Sequence, residues 1–161
     1  MRNSALLDFC YFLESTELNA AIQANFWIVP TMQTLHILAM ASVLIGALLI
    51  NLRILSLHAK SEPIATIITR YKSLVWFPLP ILLITGCIMI IGEPARSLTN
   101  PAFQIKMVML LAVLFITFFL QRKWQKDHSH AQTDATSYLL AILSLGLWVG
   151  IVAAGRWIAY A

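Results

Sequence analysis

The chain of 161 residues has few charged residues and few cysteines. Only 11% of its residues are charged and 60% are hydrophobic, and the mean hydropathy is +0.79. Soluble domains carry about a quarter charged residues, so this composition excludes an ordinary soluble domain. The two cysteines, Cys10 and Cys87, have no CxxC spacing, which excludes a disulfide framework and a cysteine zinc site.

The motifs of several large enzyme classes are also missing. The sequence contains no nucleophile with an adjacent base, no paired-carboxylate site, no Gly-rich phosphate loop and no HExxH. Hydrolysis and phosphoryl transfer are therefore not supported. If the protein takes part in catalysis, we expect it to do so at most as an electron-transfer subunit. The net charge of +4 is spread over the loops without interleaved aromatic residues, so we expect no nucleic-acid partner.

The sequence contains several long apolar stretches. Four of them cover roughly residues 26–50, 74–92, 102–120 and 138–154, and each approaches or exceeds the ~20 residues that a helix needs to cross a bilayer. The sequence therefore predicts an all-α protein, an integral membrane four-helix bundle that occupies residues 26–161 and has the lipid bilayer as its surroundings.

Residues 1–25 are interrupted by acidic residues and do not form a fifth span. Their apolar residues recur at helical spacing, which predicts an amphipathic helix lying in the membrane interface. Ser15 or Thr16 is a suitable N-cap for a second short helix that runs to Asn25.

The distribution of Lys and Arg predicts the orientation. The connections after the first and third apolar stretches hold seven basic residues, against four on the other side. The positive-inside rule then places both termini on the outer face. We expect a multi-pass protein of the bacterial inner membrane with both termini in the periplasm.

Proline and glycine mark two positions inside the spans. Pro78 and Pro80 predict a kink in the second span, where neighbouring groups must satisfy the freed backbone carbonyls. Gly146 and Gly150 form a GxxxG motif in the fourth span. Such a motif serves packing within the chain or association of two chains, so both a homodimer and contacts with other membrane subunits are open.

His36 is the ionisable residue that this sequence places nearest the middle of a span. An intramembrane ionisable group is costly and is by default a functional-site hypothesis. Met32 and Met40 lie one helical turn away on the same face, and Gln33 lies beside them. This stripe is a plausible ligand set for Cu(I) or for one side of a haem. The alternative is a histidine hydrogen-bonded to a neighbour among ordinary core methionines.

Residues of other spans reach the same depth as His36, namely Thr85, Gly86, Cys87, Met89, Met107 and Met109. No second histidine does, so a bis-histidine haem within one chain is disfavoured. Lys106 and Arg156 lie at the outer boundary, either reaching to lipid headgroups or holding an anionic group such as a haem propionate. A quinone is also possible, because its carbonyls need only a donor such as histidine or glutamine.

Several segments together resemble a known family. They are WIVPTMQTLHILAM, LRILSL, ITGCIMIIGEP, NPAFQIKMVMLLAV and SLGLWVGIVAAGRWIAY, in this order. From Phe26 onward the chain resembles an uncharacterised family of small bacterial four-helix inner-membrane proteins, a domain of unknown function. It is more distantly similar to copper-resistance D type and b-type cytochrome membrane proteins. Asn51 stands where this resemblance implies an acidic residue.

These observations lead to three hypotheses. The first is a small inner-membrane redox or anchor subunit that holds a haem b or a quinone near His36, with Gln33, Met40, Met89, Lys106 and Arg156 around it, and that associates with a larger electron-transfer complex. The second is a purely structural or assembly subunit without a cofactor. The third is a copper-handling protein that uses Met32, His36 and Met40.

Overall fold

The computed structural model describes residues 4–126 and 134–158, with side chains described for residues 5–124 and 134–155. The described chain is helical and contains no strand. Its helices are α1 (Ser4–Glu14), α2 (Glu17–Ala24), α3 (Ile28–Ile54), α4 (Ile64–Trp76), α5 (Pro78–Gly92), α6 (Pro94–Leu98), α7 (Pro101–Lys126) and α8 (Ala135–Ile158).

Four helical segments are long and apolar enough to cross a membrane: Ile28–Ile54, Ile64–Gly92, Pro101–Trp124 and Ala135–Gly155. The predicted all-α, multi-pass membrane architecture is thereby confirmed. The second span begins at Ile64 and not near residue 74 as the apolar run indicates. The reason is that α4 has polar residues on one face and buries Ile67 and Ile68 on the other.

The spans pack as two neighbouring pairs. The helix α3 packs along α4 and α5, and α7 packs along α8; the pairs meet where α3 contacts α8 and α4 contacts α7. The helices α1 and α2 contact α5 and α6. We therefore call the end at which α3 and α7 begin, and α5 and α8 finish, the N-terminal end of the bundle.

Prolines determine where several helices begin. Pro63 directly precedes α4, and Pro78, Pro94 and Pro101 are the first residues of α5, α6 and α7. Proline suits this position because its missing N–H would have no partner in the first turn and its φ is already helical.

A neighbouring helix supplies the hydrogen bond that is lost at the break between α4 and α5, as the sequence led us to expect. In an unbroken helix the Leu74 carbonyl would accept from the N–H of residue 78, which is a proline. The Ser42 hydroxyl of α3 donates to the Leu74 carbonyl instead, over 3.2 Å. An unsatisfied carbonyl in a bilayer is costly, so this bond makes the break compatible with the membrane.

The helix α2 is held across the end of α5. Its N-cap is Thr16, whose side-chain hydroxyl accepts a hydrogen bond from the backbone N–H of Asn19. The Asn19 and Gln23 side chains then donate to the last carbonyls of α5, with distances of 2.7 Å to Ile91 and 2.5 Å to Gly92. These carbonyls have no partner within α5, so α2 closes the end of the second span.

Most of the buried hydrophobic core lies in the middle of the bundle and in the half away from the N-terminal end, and Ile151 of α8 extends it to about the depth of His36. It includes Ile54, Ile68, Leu120 and Ile151, all at most 2% exposed. Polar side chains join the two helix pairs in the same half. The Asn51 side-chain amide donates to the Ser144 hydroxyl over 3.2 Å, so Asn51 links α3 to α8.

Two further polar contacts secure this half. The Trp76 indole N–H donates to Gln121 over 2.6 Å and links α4 to α7. The Lys123 ammonium and the Ser137 hydroxyl both donate to the Asp134 carboxylate at the start of α8. These hydrogen bonds lower the pKa of Asp134 from its ordinary 3.8 to about 2, so this link between α7 and α8 persists in mildly acidic solution.

The glycines of the spans have different surroundings. A Cβ at Gly46 would lie 2.9 Å from Leu74 Cβ and 3.0 Å from Val75 Cγ2, so α3 and α4 approach each other there. Gly150 faces Met109 of α7, whose sulfur would lie 3.1 Å from an added Cβ. Gly146 is exposed, and nothing in the described residues lies within 4 Å of its Cβ position. The GxxxG motif is thus divided between an internal contact and an open surface.

We expect Gly46→Ala to separate α3 from α4 and to lower the free energy of unfolding by about 1–3 kcal/mol, as overpacking does. Gly146→Ala is the matched control, because its methyl group meets open space and alanine is the better helix former by roughly 0.5–1 kcal/mol. Unfolding by denaturant in detergent micelles measures both. Equal effects of the two substitutions would contradict the close approach at Gly46.

Candidate functional site

His36 lies in the third turn of α3, near the N-terminal end of the bundle. At 1.5 Å per residue it is about 12 Å from the start of the helix. The ring is half-buried, and its Nδ1 atom lies 2.8 Å from the Thr85 hydroxyl oxygen of α5. This bond crosses between the first and second spans, so the imidazole has a fixed position in the bundle.

Thr85 is itself held by its own helix. Its hydroxyl oxygen lies 2.7 Å from the Ile81 carbonyl and 3.3 Å from the Leu82 carbonyl of α5. Threonine commonly forms such a bond to the carbonyl one turn earlier in a helix. The residue is 3% exposed, so it presents a rigid oxygen to the histidine ring.

Gly86 allows the ring to lie close to α5. A Cβ added at this glycine would lie 3.6 Å from His36 Cε1. That is ordinary van der Waals contact, so alanine fits the space but a larger side chain does not. The Nδ1–Cε1 edge of the ring therefore faces α5, and no described residue hydrogen-bonds the other ring nitrogen, Nε2.

Lys106 of α7 approaches the same layer from the other helix pair. Its side chain is half-buried, and its ammonium lies 3.8 Å from the Cβ position of Gly155 in α8. It is close enough to His36 for the two side chains to interact electrostatically. In the part of the chain that the structure describes, no hydrogen bond or ion pair engages Lys106.

The bundle is less closely packed around His36 than at its other end. Within the described residues, α3 has no buried residue before Ala39, α7 has none before Val113, and α8 has none after Ile151. The described buried residues of this half include Thr85 of α5, Pro94 of α6 and Ile151 of α8, which lies at about the depth of His36. We call this half, bordered by His36, Thr85 and Lys106, the open half of the bundle.

An unpaired polar atom does not by itself mark a site in this protein. Five buried polar atoms in the close-packed half and the middle of the bundle also lack a hydrogen-bond partner among the described residues, including Trp124 Nε1 and Trp148 Nε1. Those atoms are enclosed by the core. His36 Nε2 differs because it lies in the open half, the part of the bundle that also contains Lys106.

The structure brings together only part of the residues that the sequence singled out. His36 and Lys106 approach each other, whereas Gln33 is exposed and makes no described contact with the ring. Met32, Met40 and Met89 are half-buried, and Met40 packs against the hydrophobic core. The side chain of Arg156 lies outside the described residues.

Sequence reasoning placed Thr85 at the depth of His36 but assigned it no role. The sequence did contain a signal for this contact, namely Thr85 followed by Gly86. A glycine beside a hydroxyl-bearing residue lets a ring from another helix come close enough to bond that hydroxyl. The described residues contain no group of three His, Cys, Asp or Glu side chains that could hold a metal ion.

Comparison with known proteins identifies the family of the chain. Residues 17–161 match the model of a family of unknown function, DUF6644. The chain belongs to this family. The resemblance inferred from the sequence segments is confirmed to that extent, and neither a curated protein nor a solved structure matches the chain.

We expect Gly86→Val to push the His36 ring away from Thr85, because an added Cβ would already touch the ring at 3.6 Å and valine carries two further methyl groups on that carbon. Gly86→Ala is the matched control and should leave the ring in place. NMR resonances of the ring in isotope-labelled protein report its environment. A Gly86→Val spectrum identical to that of the wild type would contradict the described contact.

Proposed function

We propose that the open half of the bundle holds a membrane-embedded redox cofactor, a haem b or a quinone, against His36. The protein would then be a small electron-transfer or anchor subunit of a larger complex in the bacterial inner membrane, with the N-terminal end of the bundle facing the periplasm. The observation that carries this proposal is an oriented imidazole whose second nitrogen is unbonded in the described structure, within a loosely packed apolar region.

The donor set suits either cofactor. A neutral imidazole is a common axial ligand of haem iron, and an imidazole or a lysine ammonium can hydrogen-bond the oxygen atoms of a quinone. Apolar side chains surround the layer, as cofactor pockets require. His36, with Thr85 behind it, would hold and orient the cofactor, which would supply reversible electron carriage when bound.

Lys106 gives this half a positive charge without an acidic partner in the described residues. A charged group inside a membrane protein usually pairs with an opposite charge or lies beside a polar ligand. A haem propionate or a quinone oxygen supplies such a partner. The Lys106 ammonium lies beside Gly155, the residue that precedes Arg156 in the sequence. We therefore assign to Lys106 the role of binding the polar edge of the cofactor.

The experiment is purification of the full-length protein from its own membranes in mild detergent, followed by absorption spectroscopy, quinone extraction and metal analysis. We expect a Soret band or a bound quinone in the wild type. His36→Ala should lower cofactor content at least tenfold, because it removes the ligand atom.

His58→Ala is the control for this experiment, since His58 is exposed in the loop between α3 and α4 and its loss should change nothing. No Soret band, no quinone and no effect of His36→Ala would together refute the proposal. About one equivalent of copper, lost on substitution of Met32 or Met40, would replace it with copper handling.

The second candidate is an assembly subunit without a cofactor, and the open surface at Gly146 favours it. An exposed glycine on a spanning helix lets a partner helix come close, and no described residue of this chain fills that space. Gly150 is already used against Met109, so the GxxxG motif offers a partner only one of its glycines.

For this candidate we expect Gly146→Leu to disrupt association with partner chains, because leucine fills the surface on which a partner helix packs. Chemical cross-linking in native membranes followed by size analysis measures the association. His36→Ala should have no effect on it. Unchanged cross-linking of Gly146→Leu would count against an interface at this glycine.

A further inference from the structure

We infer that Thr85 is a positioning residue that keeps the neutral His36 ring protonated on Nδ1, so that Nε2 serves as a lone-pair donor to the iron of a haem. The inference rests on the proposed function and narrows its cofactor from a haem or a quinone to a haem. It concerns the same open half of the bundle and gives a role there to Thr85, which would act on His36 without contacting the haem.

The Thr85 hydroxyl carries a single proton, and this determines which group donates in the hydrogen bond between Thr85 and His36. The hydroxyl has one proton to donate. Its oxygen lies 2.7 Å from the Ile81 carbonyl oxygen, and two oxygen atoms at that distance repel unless a proton lies between them. The proton is therefore donated to Ile81, and the hydroxyl oxygen accepts from the ring.

His36 must then be the donor in the 2.8 Å contact between Nδ1 and the Thr85 hydroxyl. A neutral imidazole carries one N–H, so a proton on Nδ1 leaves a lone pair on Nε2. Gly86 keeps the Nδ1–Cε1 edge against α5, and a ring flip would break the bond to Thr85. The ring is therefore fixed both in orientation and in tautomer.

This tautomer distinguishes the two cofactors. Quinone carbonyls accept hydrogen bonds, and an unprotonated Nε2 has nothing to donate to them. A metal ion is a partner that a lone pair on Nε2 binds directly, and histidines that bind metals commonly donate their other N–H to a neighbouring oxygen in this way. The bond to Thr85 therefore favours coordination of haem iron by His36.

The tautomer can be measured without any cofactor. Full-length protein labelled with ¹⁵N-histidine, in detergent at alkaline pH, reports by NMR which ring nitrogen carries the proton. We expect the Nδ1–H form in the wild type. Thr85→Val should produce a mixture of the two tautomers, and Thr85→Ser should restore the Nδ1–H form, because serine keeps the hydroxyl.

Thr34→Val is the matched control. Thr34 is an exposed threonine of α3 whose hydroxyl also bonds a carbonyl one turn earlier, that of Pro30, but it does not contact His36. This substitution should leave the tautomer unchanged. A wild-type ring protonated on Nε2 would overturn the inference even if Thr85→Val failed to fold, and so would a Thr85→Val variant that keeps the Nδ1–H form.

The ligand class is tested separately by titrating haem b into the same four proteins. We expect Thr85→Val to bind it about ten- to a hundredfold more weakly than the wild type, the usual effect of losing such a supporting bond, and Thr85→Ser to recover binding. Wild-type protein that binds a quinone and no haem would overturn the choice of haem. Protein that binds neither would refute the proposed function, whereas the NMR result on Thr85 would still hold.

Discussion

Hydrocarbon provides no hydrogen bonds, and this constraint explains how the spans of this protein are joined. Ser42 satisfies the carbonyl that Pro78 leaves free, and Asn19 and Gln23 satisfy the last carbonyls of α5. Each of these bonds crosses from one helix to another, and the bond of Ser42 lies within the spans, where no water is available to replace it. The bond between His36 and Thr85 belongs to the same set, but it satisfies only one side of the imidazole ring.

The two ends of the bundle differ in how completely they are packed. The core around Ile54 and Leu120 is closed and is joined by polar bonds between the helix pairs. Around His36 the helices bury few residues, and the lysine there has no acidic partner among the described side chains. One end thus resembles an ordinary membrane bundle, whereas the other presents an oriented imidazole and a positive charge, the two features on which the proposed cofactor site depends.

Much of the fold followed from the sequence. Hydropathy located the four spans except for the beginning of the second, the pair Ser15 and Thr16 contained the N-cap of α2, and Pro78 with Pro80 marked the break in the second span. Each of these signals depends on nearby residues alone. The bond from Thr85 to His36, the exposure of Gln33 and the different surroundings of Gly46 and Gly146 did not follow. These depend on how each helix is rotated toward its neighbours, which neither hydropathy nor a local motif determines.

The central claim is that His36 is oriented by Thr85 in order to hold a cofactor in the open half. An experimental structure of the full-length protein, purified in mild detergent from its native membranes, tests it most directly. The account predicts non-protein density against His36 Nε2, with a polar edge close to Lys106. A ring nitrogen bonded to a backbone carbonyl, or facing lipid chains with no other group beside it, would contradict the account.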